Sequence, residues 1–176
     1  MKQYILNEII EFSLGKNPTR IKEKPEEIYT PEDFENDLHC KNSNWDELGC
    51  IISFIKSKAA PVSTQIGTKC FTSNFLKCDF DTDVLDPWYF CYQFNEGKEL
   101  EQQIAMYHQG TVLSVKKLTI KLISELKINL PEIEKQRKIG QIYRQSIIQH
   151  DLMLKQTEDM NKYTLSLIRN IEEGLK

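Results

Sequence analysis

Glycine is scarce in this chain: seven residues in 176, at positions 15, 49, 67, 97, 110, 140 and 174, with no two close together. That spacing excludes the glycine-rich loops that cradle phosphates and the Gly-x-Ser-x-Gly nucleophile elbow. No His-Glu-x-x-His string occurs and no Asn-Pro-Pro-Tyr string of the kind amino-methyltransferases use, and a nuclease triad is not expected. The five cysteines (Cys40, Cys50, Cys70, Cys78 and Cys91) form no Cys-x-x-Cys pair, so zinc-ligand spacing is missing and reduced thiols are expected. His39 beside Cys40 is the nearest approach to a ligand pair. The acidic cluster Asp79, Asp81, Asp83 and Asp86 lacks the glycine and terminal glutamate of a calcium loop and reads as a solvated turn. His108 and His150 stand alone. No metal, no cofactor and no catalytic constellation are expected, and the chain reads as a non-enzyme. No run approaches the roughly 18 apolar residues of a membrane span, and the first residues lack a signal-peptide pattern, which leaves the cytoplasm as the expected compartment.

What is present is an ordinary balance, 40% hydrophobic and 28% charged, with a formal net charge of −3. The charge is unevenly spread. Residues 31–50 hold one basic and six acidic side chains, and residues 79–101 hold one and seven. Between them, residues 51–78 carry Lys56, Lys58, Lys69 and Lys77 with no acid at all. Screening confines a surface field to about 8–10 Å, so a positive patch can bind phosphate on an acidic protein.

Residues 4–14 read as a short amphipathic helix or a strand leading into one, and Lys16-Asn17-Pro18-Thr19 as a turn. Thr30 as N-cap, Pro31 at the first helical position and Asp33 near N3 predict a helix over 31–38. KNSNWDELG is expected to be a polar loop. Residues 50–56 and 68–80, rich in β-branched and aromatic side chains, read as strands, with SKAAPVSTQIG as their connection. Asp86-Pro87 opens WYFCYQFN, expected as a buried helix with strand as the alternative. Helices are expected over 98–109 and 115–126, then a terminal strand, KINL, stopped by Pro131.

From Glu132 to about Glu173 there is no proline and a single glycine, Gly140. A heptad begun at Ile139 runs through Ile142, Ser146, Gln149, Met153, Gln156, Met160, Tyr163 and Leu167, widened by Tyr143, Ile147, Leu154 and Ile171. A helix of that length, about 63 Å at 1.5 Å per residue, outreaches a domain of some 130 residues and wants a partner helix. The fold class is therefore α+β: a mixed domain over 1–131 followed by one long coiled-coil helix over 132–176.

The junction between the two, LTIKLISELKINLPEIEKQRKI, resembles the string that leads into the spacer helix of type I restriction-modification specificity subunits. The matching residues are Leu122, Leu126, Ile128, Leu130, Pro131, Ile133, Gln136 and Ile139. Asp86-Pro87-Trp88-Tyr89-Phe90 with Asn95, Gly110-Thr111, and Gly49-Cys50-Ile51-Ile52-Ser53 resemble further short elements of that family, with Cys50 where it usually has an acid. The resemblance implies a target-recognition domain, and only one of the two that a full subunit carries. It also implies double-stranded DNA, methyltransferase (modification) subunits and a restriction subunit as partners, with all catalysis left to those subunits.

The residues expected to touch DNA are chosen by charge, polarity and loop placement. They are Lys16, Asn17, Arg20 and Lys22 in the N-terminal loop, and Lys56, Ser57, Lys58, Thr64, Gln65, Lys69, Ser73 and Asn74 in the acid-free stretch. The residues expected to pair the helix with a second copy are Ile139, Ile142, Tyr143, Met153, Met160, Tyr163 and Leu167. The alternative is a protein-interaction adaptor whose long helix docks into a partner bundle.

Overall fold

The computed structural model describes residues 2–22, 24, 27–41, 45–63, 69–109 and 118–174. Strand β1 (Lys2–Ile5) leads through a single helical turn, α1 (Leu6–Ile9), into β2 (Glu11–Leu14). After a 3-10 turn at Pro18–Arg20 come α2 (Pro31–Leu38), β3 (Trp45–Ser53), β4 (Lys58–Ser63) and β5 (Phe75–Asp79). Helices α3 (Pro87–Glu96), α4 (Lys98–Gln109) and α5 (Ile120–Glu125), strand β6 (Lys127–Leu130) and helix α6 (Ile133–Gly174) complete the order. The result is an α+β fold with two small antiparallel sheets, β1-β6 and β2-β5-β3-β4, and a 42-residue final helix.

Several expectations are corrected here. Of the two readings of 4–14, the strand leading into a helix holds at the start, but the helix is a single turn and a second strand follows it. The segment read as a polar loop contributes Trp45–Gly49 to β3, and SKAAPVSTQIG contributes the strand β4. Pro61 misled the reading, but β4 lies at the edge of its sheet, where a missing N–H can face away from the ladder. Only Phe75–Asp79 of the 68–80 segment is a full strand; Cys70 and Thr72 make isolated bridges to Ile28 and Lys16. Within 115–126 the helix covers Ile120–Glu125, and residues 115–117 lie outside the described residues, as do Gly110 and Thr111. Helix α2 forms with Thr30 as its expected N-cap, in a capping box with Asp33, and α3 is helical with Asp86 as its cap.

At β3 the sheet is buried on both faces, which is why Cys50, Ile51 and Ile52 form a continuous apolar run instead of alternating. Cys50, Ile52, Leu76 and Cys78 join one core cluster with Leu6, Phe90 and Ile123. Ile51, Ala60, Val62 and Phe75 face the other way, against Tyr29 and Phe34. All five cysteines are unpaired thiols, and burial pushes Cys50 and Cys78 well above the ordinary thiol range.

Helix α6 begins as part of this domain. Gln136 is 1% exposed, and its amide is fully used: Oε1 accepts from the Asp86 N–H at 3.1 Å, and Nε2 donates to the carbonyls of Val84 at 3.1 Å and Pro131 at 2.9 Å. One turn on, Gly140 presses against the start of α3, where an added Cβ would meet Asp86 Oδ1, the Trp88 Cβ at 2.8 Å and the Tyr89 N at 2.9 Å. Tyr143 then packs on Trp88 and Tyr92 and accepts a 3.2 Å hydrogen bond from Asn95, so α3 and α6 run side by side in the same direction. Asn95 also clamps β4, donating to the Ala59 carbonyl at 2.9 Å and accepting from its N–H at 2.7 Å, which occupies an otherwise unpaired strand edge.

Replacing Gln136 with leucine strands these buried backbone groups, and Gly140→Val drives a side chain into α3. Each should cost about 2–4 kcal/mol, read as a lower urea midpoint with an unchanged slope. Equal midpoints for wild type and both variants would contradict this account of the junction.

Candidate nucleic-acid interface

The register of the larger sheet decides which loops meet. Leu14 pairs with Leu76, Ser53 with Phe75, and Ser53 with Lys58, so the end of β2, the start of β5 and the β3–β4 turn share one edge. Lys16 and Asn17 follow β2, Ser73 and Asn74 precede β5, and Lys56, Ser57 and Lys58 form the turn and the start of β4. Loops 57 and 20 residues apart in sequence are joined by backbone bonds: Ser73 N–H to the Lys16 carbonyl at 2.8 Å, and Phe54 N–H to the Asn74 carbonyl at 2.9 Å. Asn17 caps the Pro18–Arg20 turn, accepting from the Thr19 N–H at 3.1 Å and its hydroxyl at 2.9 Å, which places Arg20 at the same edge. Ser57 has a positive φ of 54°, a conformation that holds the β3–β4 turn tight.

Most of the residues chosen from the sequence therefore come together: Lys16, Asn17, Arg20, Lys56, Ser57, Lys58, Ser73 and Asn74 lie along one line of strand ends. Lys22 is exposed just beyond Arg20. Lys69 sits beside this line in a cleft of about 610 Å³ that Lys16, Glu27 and Lys77 also line. Thr64 and Gln65 lie outside the described residues. Lys77 was passed over as a site residue; alternation along β5 signals it, because Leu76 and Cys78 point into the core and Lys77 points out.

Space changes the meaning of the acid-free stretch. Each of its lysines meets a carboxylate: Lys56 with Glu35 at 2.9 Å, Lys58 with Glu96 at 3.2 Å, Lys69 with Asp33 at 2.9 Å and Lys77 with Asp79 at 2.8 Å. Glu35 is also 3.5 Å from His39 Nε2, and His39 Nδ1 lies 2.9 Å from Asp151 of α6. A line of polar contacts thus joins the strand-end edge to the point where α6 leaves the domain. Beyond Asp151 every described residue of α6 is exposed, including Met153, Met160, Tyr163 and Leu167. Of the other residues expected in its seam, Ile139 and Tyr143 pack against the domain's own core, while Ile142 is 70% exposed.

No family model matches the sequence, and no curated protein sequence matches it. Solved structures do. The HsdS subunit from Thermoanaerobacter tengcongensis superimposes with a TM-score of 0.57 at 19% identity, over 89% of this chain and 39% of that one. The fold is that of an HsdS subunit. A chain from a structure of complex assembly and conformational transition of the type I R-M system gives a TM-score of 0.59 at 16% identity, over 95% of this chain and 43% of that one. This chain spans about two-fifths of the length of either structure it matches.

Asp33 supplies a test of the scaffold beneath this edge. Burial opposes its ionisation, but the Thr30 N–H and hydroxyl and the Lys69 ammonium outweigh burial and hold the carboxyl below its usual range. A depressed folded pKa stabilises above the unfolded value and loses that stability as pH falls through the folded one. Asp33→Asn should therefore be about 1 kcal/mol less stable than wild type at pH 7. The gap should close below about pH 4, the region of an unperturbed aspartate. A gap independent of pH would show that the charge of Asp33 plays no part.

Proposed function

We propose that this chain is a specificity subunit of a type I restriction-modification system, binding duplex DNA through the strand-end edge and reading one half-site of a bipartite target. The observation that carries this reading is the convergence of two remote polar loops, 16–22 and 73–74, with the β3–β4 turn on one sheet edge of an HsdS fold. Lysine and arginine there would contact phosphates and fix register, while Asn17, Asn74 and the serines would reach base edges. Lys69 belongs to the same proposed surface; Thr64 and Gln65 stay candidate contacts outside the described residues. Residues 1–131 would be the recognition domain and 132–176 the spacer helix, with methylation and cleavage supplied by partner subunits.

The distal half of α6 supports the partner side of the proposal. At about 100° per residue, Met153, Met160, Leu167 and Ile171 fall on one line, Tyr163 and Leu152 to one side of it, and Leu154, Leu165 and Ile168 to the other. Lys155, Glu158, Asp159, Lys162, Arg169 and Glu173 gather on the opposite side. The apolar arc spans roughly 200°, about twice the width of a two-helix seam. A second copy of the chain would cover part of it, and methyltransferase subunits, with a restriction subunit joining them, would cover the rest. The adaptor reading shares this helix and lacks the DNA edge, so nucleic-acid affinity separates the two.

Replacing Lys16, Lys56 and Lys58 together with glutamine should weaken duplex binding and flatten its salt dependence by up to about three phosphate contacts. Asn74→Ala should instead erode discrimination between target and random duplex by about 1–3 kcal/mol. Fluorescence anisotropy against salt concentration measures both. A wild-type protein with no salt-dependent affinity for any duplex would leave the adaptor reading standing. In sedimentation, the full chain should be a dimer at micromolar concentration and a chain ended after Asp151 a monomer. A full chain that stays monomeric would contradict pairing through α6.

A further inference from the structure

The four lysines of residues 51–78 lie in a stretch that contains no acid, yet all four meet one in space, three of them supplied by other elements. These pairs are of different kinds. Lys69 and Asp33 are 25% and 17% exposed, and Asp33 is also hydrogen-bonded to Thr30 at the start of α2, so this pair is part of the scaffold. Lys77 and Asp79 lie on one strand, two residues apart. Lys58–Glu96 is open to solvent, with side-chain exposures of 44% and 51%; Lys56–Glu35 is partly open, at 54% and 34%, with the Glu35 Oε1 that faces Lys56 itself buried. Both lysines stand on the strand-end edge. Both carboxylates are mounted on helices packed against it: Glu35 on α2, and Glu96 at the last turn of α3, next to the Asn95 clamp on β4.

A solvent-exposed ion pair is weak, so a stronger anion can exchange with either carboxylate. A DNA phosphate is such an anion. Glu35 has His39 Nε2 at 3.5 Å as a second neighbour when Lys56 departs, which eases the exchange at that position.

We propose that Glu35 and Glu96 are phosphate surrogates: they hold Lys56 and Lys58 in the DNA-free protein and give them up to the duplex backbone on binding. This rests on the DNA-binding reading above. The consequence is a check on indiscriminate binding. Each lysine that moves to a phosphate releases a condensed counterion from DNA, but the carboxylate it leaves takes one up from solution. The electrostatic gain common to all sequences shrinks, and base contacts carry a larger share of the affinity.

The test is a gain of binding, measured on the full chain with a labelled random-sequence duplex across a salt series. Glu35→Gln and Glu96→Gln should each tighten binding about two- to fivefold at low salt, and steepen the salt slope by up to about 0.9 per freed lysine. Glu173→Gln on the far end of α6 makes the same change in net charge and should leave binding as it is. The Glu35→Gln gain should vanish when Lys56→Gln is added, and circular dichroism should overlay for all variants. Wild-type binding that neither substitution alters would overturn the surrogate role while leaving DNA recognition intact. Equal tightening by all three glutamate variants would also overturn it, since net charge alone would then explain the gain. No binding by any variant at any salt would overturn the DNA reading itself, and this inference with it.

Discussion

One contact organises this molecule: the seating of α6 on the first turn of α3. Gln136 fills the gap left where the chain turns from β6 into the helix, giving partners to three backbone groups of two segments at once. Gly140 then lets the two helices approach to backbone distance. Everything that follows along α6 inherits its direction from these two residues, and Tyr143, Arg144 over Trp88, and Asp151 with His39 extend the seating along the domain. A helix so anchored carries a fixed relation to the sheet. Its exposed half projects from a defined point beside the strand ends instead of hanging from a linker.

The same α3 that receives α6 also closes the sheet. Its aromatic face fills the main core, and its C-terminal Asn95 and Glu96 reach β4 at Ala59 and Lys58. One helix therefore links α6, the core and the polar edge. The edge itself is a product of register: three connections that are remote in sequence meet because β2, β5 and β3 align their ends. Its lysines are balanced by carboxylates from α2 and α3, so an acidic protein presents cations there without an unbalanced field over the whole surface.

The elements with strong local signals were legible in the sequence. Thr30-Pro31 with Asp33, Asp86-Pro87, and the uninterrupted run after Pro131 each carried a cap or a period that the structure repeats. The errors fell where tertiary context prevails over propensity. Pro61 and a polar flank hid β4, which is a strand because it has an edge position and the Asn95 clamp. Trp45–Gly49 is polar as a sequence and pairs all the same as part of β3. At the candidate site, the basic and amide residues were legible, but their carboxylate partners were not. Glu35 and Glu96 lie in segments that read simply as acidic, 21 and 38 residues from the lysines they meet, and only the fold brings them together.

If α6 is a spacer seated firmly on its domain, its length should set the distance between two recognition edges in an antiparallel pair. Seven residues inserted after Gln156 keep the heptad phase and add about 10.5 Å to the helix. Selection of bound sequences from randomised DNA measures the outcome directly. The account predicts an inverted repeat whose half-sites are unchanged and whose unread spacer grows by about three base pairs or more, at about 3.4 Å each. A spacer of unaltered length, with the half-sites retained, would contradict it.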